Sequence, residues 1–376
     1  MQFYLKITIV IAILSVIVRG KGGIELKKAK YNYRITANDV YLIMCFAFFY
    51  VLSSIRDITV GRDTRMYRKI YSALGGTRYF DQIPQRMQGY RGYRLLCRIV
   101  YLLFEDNYLV FNCITCAIIL GLIYIMIKKC SMNYQMSVLL MLLMYMLYNS
   151  WNYSRQYCAI AIGTAAVVLL REKKLFASIV CLVIAITFHS TAAILFIIYI
   201  LEYIKWNKRR FVFFSAIAVG GTAAFDLFVR IFLYLFPRFS YLYGKQFLNA
   251  DFGSNFGGMA SGRKSLVSIL FLIILIGTMY LADGDCLDEL WLFMAMTMIS
   301  IVIGIVFRHY SAILRMQEYF NIASIVCIPN MIEVAIKNRI LRILVNVCLC
   351  LIMLIPYYIQ LSENYAEIIP YQVLMR

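Results

Sequence analysis

The chain has 376 residues, of which 62% are hydrophobic and 15% are charged, and its mean hydropathy is +0.75. Soluble domains are about 45–50% apolar and about 25% charged, so this composition excludes a soluble globular protein. Lysine and arginine total 38 against 19 acidic residues, but they lie in loops between apolar runs, which is typical of membrane topology and not of nucleic-acid binding. We expect an all-α, polytopic membrane bundle with no nucleic-acid partner.

Apolar runs that can form membrane helices recur along the whole chain. A crossing takes roughly 20 residues of helix, and backbone polar groups in lipid need partners within their own segment. The predicted spans are residues 3–18, 40–55, 108–127, 136–148, 157–170, 211–236, 266–281, 290–307, 319–336 and 340–359. Together with a bent pair of short helices between residues 175 and 200, they give roughly 11–12 transmembrane helices in a single domain, residues 1–376.

The bend in that pair is predicted at His189. The run from Leu175 to Ile200 is too long for one straight crossing and short for two, and it is interrupted by His189, Ser190 and Thr191. Basic loops flank the run on both sides, which favours an entry and a return on the cytoplasmic face. His189 would then lie at the outer turn.

Two longer loops are predicted on the outer side, residues 56–106 after the second span and residues 237–265. The first of them contradicts the usual bias of basic residues toward the cytoplasm. It carries Arg56, Arg62, Arg65, Arg68, Lys69, Arg78, Arg86, Arg91, Arg94 and Arg98. Basic residues kept on the translocated side indicate a functional partner, and their natural partner is an anion.

Several ionisable residues converge on this outer face in the predicted topology. They are Arg56, Asp63, Arg155, His189, Arg308, His309 and Arg315. An arginine fork donates two parallel hydrogen bonds to phosphate oxygens, so the set is suited to a lipid that carries pyrophosphate. A single arginine at the end of a span is more often an anchor at the membrane surface, and Arg315 with Glu318 also fits a structural ion pair.

His189 is the first candidate for a general base, because a neutral imidazole accepts a proton from a sugar hydroxyl. A lone histidine in an apolar setting is usually a packing residue, but here a helix break adjoins it. Asp63 is the alternative base. The acidic residues Asp283, Asp285, Asp288 and Glu289 are typical of a solvated turn, so we expect no metal and no cofactor.

Five short elements follow one another in order along the chain. They are Arg56 with Val60-Gly61-Arg62-Asp63-Thr64 and Tyr67; Ser154-Arg155-Gln156 with Ala159; Phe188-His189-Ser190; Arg315 with Tyr319-Phe320; and Ile369-Pro370-Tyr371. Together they resemble the pattern of the EpsG-like family of exopolysaccharide polymerases, which are related in function to Wzy proteins. The chain departs from that pattern at Arg62, where the family more often has threonine or another small residue. A cation there favours the ionised, weakly basic form of Asp63, which strengthens the case for His189.

The resemblance implies a multi-pass polymerase in the bacterial cytoplasmic membrane. It would join oligosaccharide repeat units carried on undecaprenyl pyrophosphate to a growing polysaccharide at the outer face, by glycosyl transfer without a nucleotide sugar. Capsule, exopolysaccharide and O-antigen are the products of such enzymes. A flippase and a chain-length regulator would be further partners.

In this interpretation the base is His189 or Asp63, and substrate binding falls to Arg56, Arg155, Arg308, Arg315, Tyr67 and Tyr319. A flippase of lipid-linked glycans is a second hypothesis, and a glycan ligase is a third. A flippase would place charges along a path toward the middle of the membrane. The clustering of charge at one face favours the enzyme.

Overall fold

The computed structural model describes residues 1–18, 24–28, 31–76, 90–235, 258–307, 311–364 and 366–374. Its helices confirm the predicted fold class, a helical membrane bundle. Within these ranges three helices are long and apolar enough to cross a membrane, namely Ala37–Ser54, Tyr108–Cys130 and Arg339–Glu363. Several shorter apolar helices accompany them. The chain forms two compact units, Met1–Phe196 with Cys350–Arg376, and Ile197–Leu349.

Nine helices begin and end within the described part of the first unit. They are α1 Gln2–Val18, α2 Ala37–Ser54, α3 Thr64–Gly76, α4 Arg91–Phe104, α5 Tyr108–Cys130, α6 Tyr134–Leu143, α7 Met146–Asn152, α8 Ser154–Arg171 and α9 Leu175–Phe188. A 3₁₀ helix, Ser190–Phe196, follows α9. The centre of this unit is formed by α5, α8 and α9, since α8 packs against both of the others.

The second unit contains the helices of the central part of the chain. They are α10 Ile197–Tyr203, α11 Lys208–Leu235, α12 Gly258–Leu281, α13 Trp291–Val306, α14 Ser311–Asn321 and α15 Ser324–Ala335, with a 3₁₀ helix at Gly284–Leu287. The last helix, α16 Arg339–Glu363, starts in this unit and ends in the first. Within the second unit α13 packs against α11, α12 and α14.

Side-chain caps set where three membrane helices begin. Thr36 and Asp39 form a reciprocal capping box at the start of α2, which satisfies backbone N–H groups that have no partner inside the helix. Asn107 accepts a hydrogen bond from the Val110 N–H at α5, and Asn133 accepts one from the Met136 N–H at α6. These polar residues therefore determine where helices begin along a sequence that is otherwise apolar.

Two of the predicted spans are each divided in the structure. The span predicted over 136–148 breaks at Met144 and Tyr145, where Tyr145 has a φ of 64° that cannot continue a right-handed helix. The Tyr145 ring is held there by Tyr148 and Tyr357, at centroid distances of 5.0 and 6.2 Å. The span predicted over 319–336 is likewise replaced by α14 and α15. At Tyr145, aromatic packing within the first unit thus overrides the apolar pattern.

The helix break at His189 is confirmed. α9 ends at Phe188, His189 has an extended backbone with φ −153° and ψ 117°, and the following 3₁₀ helix packs back against α8 and α9. The Leu195 side chain fills the space beside Gly163 on α8 so closely that a Cβ at Gly163 would collide with it. The chain therefore turns back at His189.

The structure adds elements that the sequence pattern did not indicate. Residues 24–28 and 31–35 pair as an antiparallel hairpin, β1 and β2, with Ile24 opposite Ile35. Residues 56–106, predicted only as a loop, contain α3 and α4. Residues 236–257, most of the other predicted outer loop, lie outside the described residues. The single transmembrane domain and the outer side of both loops stay predictions.

Candidate functional site

Four helix ends meet at one end of the first unit. The Asn112 side chain, in the first turns of α5, donates hydrogen bonds to the carbonyls of Ser53 and Ser54 at the end of α2. Trp151, just before α8, donates from Nε1 to the Ser53 hydroxyl at 2.9 Å. The start of α8 and the end of α9 are joined there by the ring of Tyr90. Residues that are far apart in sequence therefore share one surface.

Arg155, in the first turn of α8, is surrounded by tyrosine rings. Its guanidinium carbon lies 4.3 Å from the ring centre of Tyr90, 5.7 Å from that of Tyr67 and 5.8 Å from that of Tyr93. A guanidinium stacks favourably on aromatic faces within about 6 Å. The three rings come from α3 and from the start of α4, so these helices hold the cation in place.

His189 also lies beside the Tyr90 ring. The two ring centres are 5.5 Å apart with an interplanar angle of 34°, and the His189 Nδ1 is 2.6 Å from the Thr191 hydroxyl oxygen. The start of α4 packs so closely here that a Cβ at Gly92 would collide with Thr187. Tyr90 therefore links the predicted base to the predicted anion ligand. We call Tyr67, Tyr90, Tyr93, Arg155 and His189 the Arg155 cluster.

Tyr67 of this cluster lies on α3, and Asp63 immediately precedes that helix. Burial raises the pKa of Tyr67 to about 12, an effect that the positive charge of Arg155 opposes and the charge of Asp63 reinforces. The Asp63 N–H points to the Asn152 side-chain oxygen at 3.4 Å. At neutral pH the Tyr67 phenol is therefore protonated and does not serve as a base.

The C-terminal tail holds the segment that carries Asp63. Backbone N–H groups of Asp57, Gly61 and Arg62 donate to carbonyls of Gln372, Glu367 and Ala366 at 2.9–3.0 Å. Gly61 has a φ of +103°, and a Cβ there would lie 2.6 Å from the Thr64 hydroxyl, so this turn needs glycine. The tail element Ile369-Pro370-Tyr371 of the family pattern thus lies beside the first element.

Arg62 is paired in a way that the sequence did not reveal. Its Nε is 3.8 Å from a carboxylate oxygen of Glu367 in the same tail. Both side chains are well exposed, so the pair adds little to stability. The pair instead orients the Arg62 guanidinium toward the C-terminal tail.

Arg56 is buried, with 3% of its surface exposed. Its guanidinium donates to the Ser53 carbonyl and to the Cys116 sulfur, and it lies 5.4 Å from the ring centre of Trp151. Among the described residues no carboxylate forms an ion pair with it, and its Nε has no hydrogen-bond partner. Arg56 is therefore a buried residue, whereas Arg155 is partly exposed.

The other predicted ligands do not belong to this unit. Arg315, which is exposed, and Tyr319, which is buried, lie on α14 of the second unit. Arg308 and His309 lie outside the described residues. The part that Arg308, Arg315 and Tyr319 play in a common site stays a prediction.

Tyr90 and Tyr93 are the residues that sequence reasoning missed. The Tyr90-Arg91-Gly92-Tyr93 stretch combines aromatic and basic residues with a glycine, and this combination in an outer loop was the available signal. Within the described ranges no group of three or more His, Cys, Asp or Glu side chains is placed to hold a metal ion. The Asp283 carboxylate of the acidic turn forms an ion pair with Lys337 at 3.0 Å.

The cluster combines a cation, an imidazole and phenol hydroxyls at one end of a membrane bundle. No curated protein and no solved structure gives a significant match to the chain. The family model that does match covers residues 39–373, nearly the whole chain and all five elements of the pattern. The chain belongs to the EpsG family.

Proposed function

We propose that this protein is a polymerase that joins oligosaccharide repeat units carried on undecaprenyl pyrophosphate, at the outer face of the bacterial cytoplasmic membrane. Membership of the EpsG family supports the broader activity, an exopolysaccharide-related polymerase in a membrane. The observation that carries the finer proposal is the contact chain from Arg155 through Tyr90 to His189. It supports the proposal because it brings Arg155, the proposed phosphate ligand, close enough to His189, the proposed base, for both to act on one substrate.

The reaction transfers a glycan between two lipid-linked chains. The bond between the anomeric carbon of the donor and its pyrophosphate oxygen breaks, and that oxygen keeps the electron pair. A hydroxyl of the acceptor sugar forms the new glycosidic bond and gives its proton to His189. Arg155 stabilises the negative charge that develops on the departing lipid pyrophosphate. Because the protein supplies this charge, the scheme requires no metal.

His189 is favoured over Asp63 as the base because its ring orientation is fixed. The Thr191 hydroxyl holds Nδ1, and the Tyr90 ring packs beside the imidazole, an arrangement that presents one ring edge in a defined direction. Asp63 directly follows the cation Arg62 in the sequence, and a nearby cation favours an ionised, weakly basic carboxylate. In this proposal Asp63 helps to position Tyr67 and Arg155.

Arg56 has a different role from Arg155 in this scheme. Its burial beneath Trp151 supports a positioning role, in which it fixes Trp151 and the segment that leads to Asp63. Arg308, Arg315 and Tyr319 remain proposed contacts to the second glycan or to its pyrophosphate. A flippase would supply the donor at the outer face, and a chain-length regulator would act on the growing polymer.

The distribution of charge favours the enzyme over a flippase. In the three central helices of the first unit, α5, α8 and α9, charged residues occur only in the first or last turn. A transport path would need polar or charged groups nearer the middle of the membrane. A ligase would use nearly the same chemistry on another acceptor. The identity of the product therefore distinguishes a polymerase from a ligase.

Cells that lack the chain, complemented with single variants, test the proposal. His189→Ala and Arg155→Ala are compared with wild type and with Arg171→Ala, a matched control at the opposite end of α8. Polymer length is read on gels beside the pool of lipid-linked single repeats in each leaflet. Protein abundance in the membrane fraction is measured for each variant.

We expect His189→Ala and Arg155→Ala to accumulate single repeats in the outer leaflet and to form no polymer, while Arg171→Ala resembles wild type. Repeats trapped in the inner leaflet would instead identify a flippase. Normal repeat polymers that fail to reach another acceptor would identify a ligase. Unchanged polymer in both variants would refute the proposed site.

A further inference from the structure

Helix α4 has three distinct faces. Tyr93, Cys97 and Val100 are buried against the unit, and Arg91, Arg94 and Arg98 form a second row. Leu95, Ile99 and Leu102 form a third and are 53%, 46% and 65% exposed. Each row follows the spacing of three and four residues that places side chains on one face of a helix. The result is an exposed apolar stripe directly beside a row of arginines.

The ends of α4 show where it lies on the unit. Its first turn packs against Thr187 and Phe188 at the end of α9. Its last residue, Phe104, is followed after a short turn by α5, and the Tyr71 hydroxyl donates to the Glu105 carbonyl in that turn at 2.6 Å. The end of α9 and the start of α5 lie at the same end of the bundle. α4 therefore crosses that end and does not run through the membrane.

A helix of this kind has the properties of one that lies in the membrane surface. Its 14 residues extend for about 21 Å, which is shorter than the hydrocarbon layer. An apolar face beside a cationic face fits the boundary between acyl chains and anionic head groups. A single molecule with a long apolar chain and a strongly anionic head would satisfy both rows at once.

The buried face of α4 leads directly to the Arg155 cluster. Tyr93 on α4 and Tyr90 just before it both contact the Arg155 guanidinium, so a head group beside Arg91 would be close to the reacting centre. We infer that the exposed side of α4 is the docking surface for the polyprenyl diphosphate of the donor. The exposed apolar stripe contacts the isoprenoid chain, and the row of arginines contacts the diphosphate. This inference rests on the proposed function.

The test measures binding without turnover, using the full chain in nanodiscs of phosphatidylcholine. The probes are geranylgeranyl diphosphate, geranylgeraniol and inorganic pyrophosphate, which separate the apolar chain from the charged head. The variants are Leu95→Ser with Leu102→Ser, and Arg91→Gln with Arg98→Gln. The apolar control is Ile43→Ser with Val51→Ser on α2, where both residues are about half exposed, at 48% and 51%. Arg209→Gln is the control for charge.

We expect the leucine pair to weaken binding of geranylgeranyl diphosphate about tenfold, the scale of a few methylene groups returned to water, without affecting inorganic pyrophosphate. The arginine pair should weaken binding of both diphosphates. Leu95→Met with Leu102→Met keeps the apolar surface and should bind like wild type, which separates loss of contact from misfolding. Both control variants should also bind like wild type.

Wild-type affinity for geranylgeranyl diphosphate in both α4 double variants would overturn the inference. Equal displacement of the probe by phosphatidylglycerol would also overturn it, because the surface would then bind bulk anionic lipid. The outcome is separate from that of the proposed function. If polymer formation needs Arg155 while the α4 variants bind normally, only the docking surface fails. If the chain forms no polymer but the α4 variants weaken binding of geranylgeranyl diphosphate as expected, only the polymerase assignment fails.

Discussion

The guanidinium of Arg155 rests on the ring of Tyr90, 4.3 Å from its centre, and the imidazole of His189 packs beside the same ring. Arg155 lies in the first turn of α8, and His189 directly follows α9. Tyr90 therefore connects the start of one helix with the end of the next. A planar guanidinium stacks favourably on an aromatic face. The arrangement fixes the orientation of the Arg155 side chain.

Replacing Arg155 with lysine should fail to restore polymer formation although the charge is kept. Lysine presents a point charge, whereas the planar guanidinium stacks on three rings and donates in pairs to phosphate oxygens. We expect polymer output in complemented cells to fall at least about tenfold, which corresponds to ~1.4 kcal/mol of lost transition-state stabilisation. Arg171→Lys, at the other end of the same helix, should retain wild-type output. Full activity of Arg155→Lys would show that charge alone suffices.

Tyr90 should matter through its ring and not through its hydroxyl. Tyr90→Phe keeps a face for Arg155 and for His189, so we expect output within about twofold of wild type. Tyr90→Leu removes that face and should lower output about tenfold, on the scale of ~1 kcal/mol or more for a partly desolvated cation–π contact. Tyr101→Leu, the same change farther along α4, is the control. Equal output from Tyr90→Phe and Tyr90→Leu would argue against a positioning role.

The sequence predicted the principal residues of the cluster because their chemistry is unusual for their surroundings. His189 interrupts an apolar run, Arg155 lies in the short polar segment between two apolar runs, and Asp63 and Tyr67 belong to an ordered set of motifs that also indicated the family. The apolar runs were sufficient to predict a helical membrane bundle. The break at His189 was predictable because the run that contains it is too long for one crossing.

Other features depend on tertiary contacts that leave no periodic signal. Tyr90 is one of 30 tyrosines, and nothing in its local sequence indicates that it contacts Arg155. α3 and α4 carry too many arginines to stand out as apolar runs, although their amphipathic spacing is visible once a helix is assumed. The pairing of Gly61 with Glu367 joins residues from opposite ends of the chain, which only the fold brings together.

Tyr67 should not contribute a titrating group to the reaction. Its pKa is raised to about 12, chiefly by burial, and a raised pKa favours the neutral phenol at every pH below that value. The pH profile of polymer formation in isolated membranes, between about pH 6 and 9, should therefore keep its shape in Tyr67→Phe. Loss of the hydroxyl should lower the rate by a few fold at all pH values. A shift of the basic limb in this variant would contradict the assignment.

Gly61 should be intolerant of substitution because both its backbone and its surroundings require glycine. At a φ of +103° an alanine is strained, and its Cβ would lie 2.6 Å from the Thr64 hydroxyl and 3.3 Å from the Asn152 side-chain oxygen. Strain of this kind costs about 1–3 kcal/mol, and the turn is the one that presents Asp63 to Tyr67. We expect Gly61→Ala to abolish polymer formation and to lower the thermal midpoint in detergent. Gly121→Ala on α5 meets no atom within 4 Å and should behave like wild type, since alanine also suits a helix better than glycine. If Gly61→Ala proved as active as Gly121→Ala, the contact between the C-terminal tail and this turn would not be needed to position Asp63.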